Sequence, residues 1–171
     1  MIDKTSLMLR LAAPKRDSSD AYVSEYKELA GITGELITRK FLDHWNTQYF
    51  HIEQNNGSKP QWLANGKRPD FVAFTSDPTE LVLIDAKFHI PDKNKFSISN
   101  SDLKEYTELV NKLSENGRTV NLIFTFPVGG NSINSFYCYT LDEFLGGDNS
   151  EDGCSKVVSL TNPLNALKLE E

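Results

Sequence analysis

Leu81-Val82-Leu83-Ile84-Asp85-Ala86-Lys87-Phe88 is the stretch on which the reading of this chain turns. Four consecutive branched apolar residues mark a buried strand, and the run then breaks on a carboxylate. Side chains at i and i+2 of a strand share a face, so Asp85 and Lys87 point together while Ala86 points away. A charge directly after so apolar a run costs on the order of several kcal/mol unless it is paired or metal-bound.

Upstream, Pro69-Asp70 stands at the mouth of a second strand, Phe71-Val72-Ala73-Phe74. The turn-rich Thr75-Ser76-Asp77-Pro78 between the two predicts a hairpin. As hairpin neighbours, the strands can bring Asp70 within metal-sharing distance of Asp85. Two rival acid-x-Lys triplets, Glu25-Tyr26-Lys27 and Asp102-Leu103-Lys104, fall in predicted helices. There i and i+2 lie about 200° apart and cannot converge.

Working outward, residues 17–46 read as a helix, capped by Ser18, Ser19 or Asp20, with apolar positions at Tyr22, Tyr26, Leu29, Thr33, Leu36, Ile37, Phe41 and Trp45. Gly31 and Gly34 weaken its middle, which predicts a bend or two helices. Tyr49-Phe50-His51-Ile52-Glu53 is a short strand. Asn100 or Ser101 caps a second helix through about Glu115, with Leu103, Tyr106, Val110 and Leu113 inward and Gly117 as its stop. Val120 to Phe126 and Phe136 to Tyr139 are strands, and Thr140 with Glu143 forms a capping box for a short helix. Residues 146–155 read as a flexible loop, followed by a last edge strand from Lys156. The order predicts an α/β fold, a central mixed sheet flanked by helices. It predicts one domain over 1–171, with its core at 17–140 and an acidic C-terminal extension at 141–171.

The residue types suit phosphodiester chemistry. Mg²⁺ takes hard oxygen ligands, commonly one or two carboxylates with waters and phosphate oxygens. It lowers the pKa of bound water and offsets charge growing at phosphorus, and a neighbouring lysine can orient the attacking water.

Pro69-Asp70 followed by Asp85-Ala86-Lys87 on an apolar strand resembles the signature of the PD-(D/E)XK nuclease superfamily, which includes restriction endonucleases, Holliday-junction resolvases and repair nucleases. The resemblance implies a restriction-endonuclease-like core ordered helix, three strands, helix, strand (αβββαβ), covering residues 17–126. It implies that Asp70 and Asp85 bind metal with the Ala86 carbonyl, that Lys87 assists the nucleophile, and that an acid of the first helix, matched here by Glu35, completes the site. It also implies a polar or aromatic helper at Tyr106, expected to contact nucleic acid. The expected activity is a Mg²⁺-dependent endonuclease on DNA, with Mn²⁺ able to substitute. The alternatives are an RNase or tRNase toxin on the same fold, or an inactive binding or assembly subunit.

The net charge of −6 sits uneasily with a nucleic-acid partner until its distribution is read. Residues 141–171 hold seven acids and two bases, leaving −1 on 1–140, and residues 1–16 carry +3. The stretch 59–104 has seven basic residues against six acids, and two acids committed to a cation would make it effectively basic. Lys59, Lys67 and Arg68 are candidate phosphate contacts, Trp62 a base-stacking candidate, His89 a further phosphate candidate. A homodimer or larger complex is expected for cutting two strands. Cys138 and Cys154 cannot build a disulfide framework or a zinc site, and Cys138 reads as a small core residue. No apolar run is long enough to span a membrane, and Ser6 to Ala13 is too short for a secretory core, so a cytoplasmic setting is expected.

Overall fold

A computed structural model describes residues 20–52, 67–88, 91, 94–115, 117–129 and 133–160. The expected caps Ser18 and Ser19, the basic stretch 1–16 and the candidates Lys59, Trp62 and His89 lie outside the described residues.

The chain opens with helix α1 (Asp20–His44), followed by strands β1 (Gln48–His51), β2 (Phe71–Phe74), β3 (Glu80–Ala86) and β4 (Lys95–Ser99). Helix α2 (Asn100–Ser114), strands β5 (Thr119–Gly129) and β6 (Ile133–Thr140), helix α3 (Leu141–Leu145), and strands β7 (Asp148–Asn149) and β8 (Ser155–Ser159) complete it. The main sheet runs β1-β2-β3-β5-β6. Only the β3–β5 pair is parallel; the other pairs are antiparallel. This is an α/β fold with a central mixed sheet flanked by helices, and the order helix, three strands, helix, strand is present with β4 added.

Alternation along β3 assigns its faces. Leu83 packs with Leu103, Tyr106 and Leu109 of α2 and with Leu122 and Phe124 of β5. Ile84 points the other way, into a cluster with Leu42 of α1 and Phe71 and Ala73 of β2. Helices α1 and α2 therefore cover opposite faces of the sheet.

Helix α1 is continuous through both glycines. It ends with Asn46 at φ 52°, where the Thr47 and Asn46 amides donate to the Leu42 and Asp43 carbonyls at 2.9 and 3.1 Å. This six-to-one, five-to-two closure is favoured by Asn's tolerance of the left-handed region, and it sets the chain's exit into β1. Leu36 and Trp45, expected inward, are exposed. Trp45 meets the Phe41 ring at a tilt and the Phe136 ring edge-on.

Three boundaries differ from the sequence reading. The cap of α2 is Ser99, whose Oγ accepts from the Asp102 amide at 3.1 Å. The capping box at Thr140 and Glu143 is formed as expected. Strand β4 has little signal in the sequence, because Lys95-Phe96-Ser97-Ile98-Ser99 holds only two apolar residues among Lys and Ser. Both are nevertheless buried, on the period-two pattern of a half-covered strand.

The third difference concerns 141–171. Residues 148–159 are not a loop followed by an edge strand, since the last strand lies between two others. They form a hairpin, β7 on β8, and β8 pairs with β4 in a second sheet of three strands. Leu141, Phe144 and Val158 belong to the same core cluster as Leu83 and Tyr106, so the core runs past 140 at least to Val158. The acidic composition misled because solvent-facing charges alternate with the few residues that matter. Deleting residues 147–171 is therefore expected to lower stability by about 3 kcal/mol or more, from Val158 and from the unpaired flank of β4. A thermal melt by circular dichroism that left the midpoint unmoved would show that this segment is dispensable.

Candidate active site

The β2–β3 register pairs Phe71 with Ile84 and Val72 with Leu83. The Asp70 amide donates to the Ile84 carbonyl at 2.9 Å, one residue short of the partner the ladder's register would give it, so the regular pairing ends at Phe71 and Asp70 stands beside the Ile84–Asp85 step. Asp85 shares the face of Leu83, on the α2 side, and the Asp70 carboxylate is close enough for the two charges to act on each other.

Both are buried, at 9% and 4% exposure. The Ala86 amide donates to Asp70 Oδ2 at 2.7 Å, so the residue between Asp85 and Lys87 contributes its backbone to the first acid. Burial, then the charge of Asp85 and, more weakly, of Glu35, push the Asp70 carboxyl up to about 7, against the pull of the Ala86 amide and Lys87.

Asp85 is held from two directions. Its Oδ1 accepts from the Tyr106 hydroxyl, and its Oδ2 lies 2.5 Å from Lys87 Nζ. Oδ2 is buried, and that ammonium is its partner. Burial pulls the Lys87 ammonium down, but Asp85, then Asp70 and Asp102, outweigh it and raise its pKa. Lys87 remains protonated. Tyr106 is raised by burial and by the same acids, so its hydroxyl stays a donor. Lys87 Nζ also sits 5.7 Å from the centre of the Tyr106 ring.

Tyr106 is therefore not a nucleic-acid contact. At 1% exposure it cannot touch a ligand, and its role is to fix Asp85. The signal was legible: a tyrosine on the inward stripe of a helix must find a partner for its hydroxyl. Lys67, expected at phosphate, pairs with Asp102 of α2 at 3.0 Å on the rim of the site. Arg68 is half-buried beside it.

Glu35 comes from α1, on the far face of the sheet. Its Oε2 accepts from His51 Nε2 of β1 at 2.9 Å. Among the described residues no group of three or more His, Cys, Asp or Glu side chains converges on one point, and the Glu35 carboxylate is turned to His51. Two features that bring α1 close escaped the sequence reading. Gly34, expected only to weaken the helix, faces the Lys87–Phe88 backbone, where an added Cβ would stand 3.2 Å from the Phe88 nitrogen. Thr38 and Thr125, both buried, share a hydrogen bond of 2.8 Å, and the Thr125 carbonyl accepts from the Lys87 amide at the same length. No local pattern announces a Thr–Thr bond between elements 87 residues apart.

The donor set suits a hard divalent cation. Two neighbouring carboxylates with one lysine between them carry more negative charge than their buried surroundings favour. Mg²⁺ needs no more than two protein carboxylates when waters fill the remaining positions.

No protein-family model matches the chain, and no curated protein matches it. Among solved structures it is similar to Hjc, a Holliday junction resolvase from the archaeal hyperthermophile Archaeoglobus fulgidus. The match has 12% identity and a TM-score of 0.49, covering 75% of this chain and 88% of that one. The fold described above rests on its own strand order, and the site on its own distances.

Proposed function

We propose that the chain is a metal-dependent nuclease that hydrolyses phosphodiester bonds, acting on DNA. The observation that carries this reading is the meeting of Asp70, Asp85 and Lys87 at the end of β3, with the Ala86 amide 2.7 Å from Asp70 Oδ2 and Lys87 Nζ 2.5 Å from Asp85 Oδ2. Structural ion pairs on α/β domains seldom join two buried, neighbouring carboxylates, because the second acid only adds repulsion. A site built to receive a cation explains that cost.

Asp70 and Asp85 would hold Mg²⁺ or Mn²⁺, with the Ala86 carbonyl as a further oxygen at the strand end. The ion, when bound, supplies a lowered pKa for water and a counter-charge for the phosphate. Asp85 is locked by Tyr106 on Oδ1 and by Lys87 on Oδ2, so its carboxylate keeps one direction. Lys87 stays cationic and stands where it can orient a water toward phosphorus and stabilise charge as the bond breaks. The Lys67 and Arg68 side chains at the rim would face substrate phosphates, Lys67 by exchanging Asp102 for phosphate. Cutting both strands of a duplex needs a second copy of the chain or a partner.

Supercoiled plasmid and tRNA, each incubated with the protein and Mg²⁺ with and without EDTA, test this directly. Nicking of plasmid that EDTA and Asp85→Ala both abolish is expected. Cleavage of tRNA alone would move the substrate to RNA, and full biological activity in Asp85→Ala would make the chain a binding subunit.

A further inference from the structure

The pair Glu35–His51 is unexplained by the three residues above, and its surroundings are more rigid than a surface ion pair requires. His51 is the last residue of β1, in register with Phe71, and its ring lies 5.1 Å from the Phe71 ring. One residue on, the Ile52 amide donates to the Asp70 carbonyl at 2.8 Å. The strand that carries His51 is thus stitched to the backbone of Asp70 itself. On the other side, Gly34 sets α1 against Lys87 and Phe88, which leaves Glu35 at the end of β3. Glu35 lies near enough for its charge to act on Asp70. A glutamate carries three rotatable bonds, and only a fixed partner keeps its carboxylate at one place.

We propose that His51 is a positioning residue for the metal site: it holds the Glu35 carboxylate beside the Asp70–Asp85 pair, where the second carboxylate oxygen accepts from the waters of a bound divalent cation. This rests on the metal-dependent reading above. Glu35 acts through water, since its helix approaches from the far face of the sheet and Mg²⁺ retains several waters when two carboxylates hold it. Partners of this outer kind affect metal affinity about 10- to 100-fold when removed.

Isothermal titration of the full chain with Mn²⁺ tests the assignment without needing a substrate. His51→Ala and Glu35→Gln are each expected to weaken Mn²⁺ by about 10-fold. The double variant should be no weaker than either single, because both remove the same interaction. His51→Gln, which keeps a donor at the Nε2 position, should restore wild-type affinity. In plasmid cleavage the Mg²⁺ needed for half-maximal rate should rise for His51→Ala while kcat at saturating metal stays within about 3-fold, the pattern of a lost binding term. Wild-type affinity in His51→Ala, or failure of His51→Gln to restore it, overturns the proposal and leaves the nuclease reading standing. A wild-type protein that takes up no Mn²⁺ overturns both.

Discussion

Replacing Lys87 by alanine is expected to lower the rate of phosphodiester cleavage by a factor on the order of 10² to 10³, the usual loss for one electrostatic group aimed at developing charge. Mn²⁺ binding should survive, since the two carboxylates remain. The ammonium is also the nearest positive charge to a buried acid: Asp85 Oδ2 lies 2.5 Å from it. Removing one partner of a buried pair costs about 3 to 5 kcal/mol when nothing replaces it. The variant should therefore melt well below wild type without metal and recover much of that loss when Mn²⁺ supplies the missing charge. Cleavage and metal-dependent melting, measured on one preparation, separate the two effects. A Lys87→Ala protein that cuts at the wild-type rate would remove lysine from the chemistry altogether.

The second large effect runs against intuition. Asp70→Asn should raise the stability of the metal-free protein at pH 8 while destroying metal binding. The Asp70 carboxyl is pushed from its ordinary range to about 7, by burial first and then by Asp85. An acid whose folded pKa is raised binds protons more tightly folded than unfolded. Its destabilising contribution is absent below the unfolded value, grows as pH rises between the two, and is complete above about 7. At pH 8 the carboxylate should cost on the order of 2 to 4 kcal/mol. Asparagine keeps the shape and an oxygen for the Ala86 amide without the charge. The gain should shrink steadily as pH falls toward 4. Melting curves at pH 5 and pH 8 without metal decide it, and an Asp70→Asn protein less stable than wild type at pH 8 would mean that the carboxylate is not strained by its site. Excess Mn²⁺ should stabilise wild type alone. A site that costs stability when empty is a common signature of function.

Much of this was legible because it follows from period and sign. Leu81 to Ile84 could only be a buried strand. Two residues of spacing placed Asp85 and Lys87 together, and the Thr75–Pro78 turn made β2 and β3 neighbours, so Asp70 came with them. The same logic placed Tyr106 on the inward stripe of α2, although its hydroxyl was assigned to nucleic acid rather than to Asp85. The strand Lys95–Ser99 was missed for a weaker reason. Its alternation was visible, but two apolar residues in five do not stand out from a polar loop.

Local pattern determined which residues share a face, because a strand's two-residue period and a helix's turn are set by the covalent backbone. That sufficed for Asp70, Asp85 and Lys87, which lie on or next to two strands joined by a short turn. Only the tertiary structure decided what meets across long loops and between layers. His51 met Glu35, Thr38 met Thr125, Gly34 met the Lys87–Phe88 backbone, and β8 met β4, where an acidic tail had been expected. Those meetings depend on how two faces of a sheet are covered and how close each helix can come. Side-chain volumes summed over the whole core set that closeness, and no local stretch of residues contains the sum.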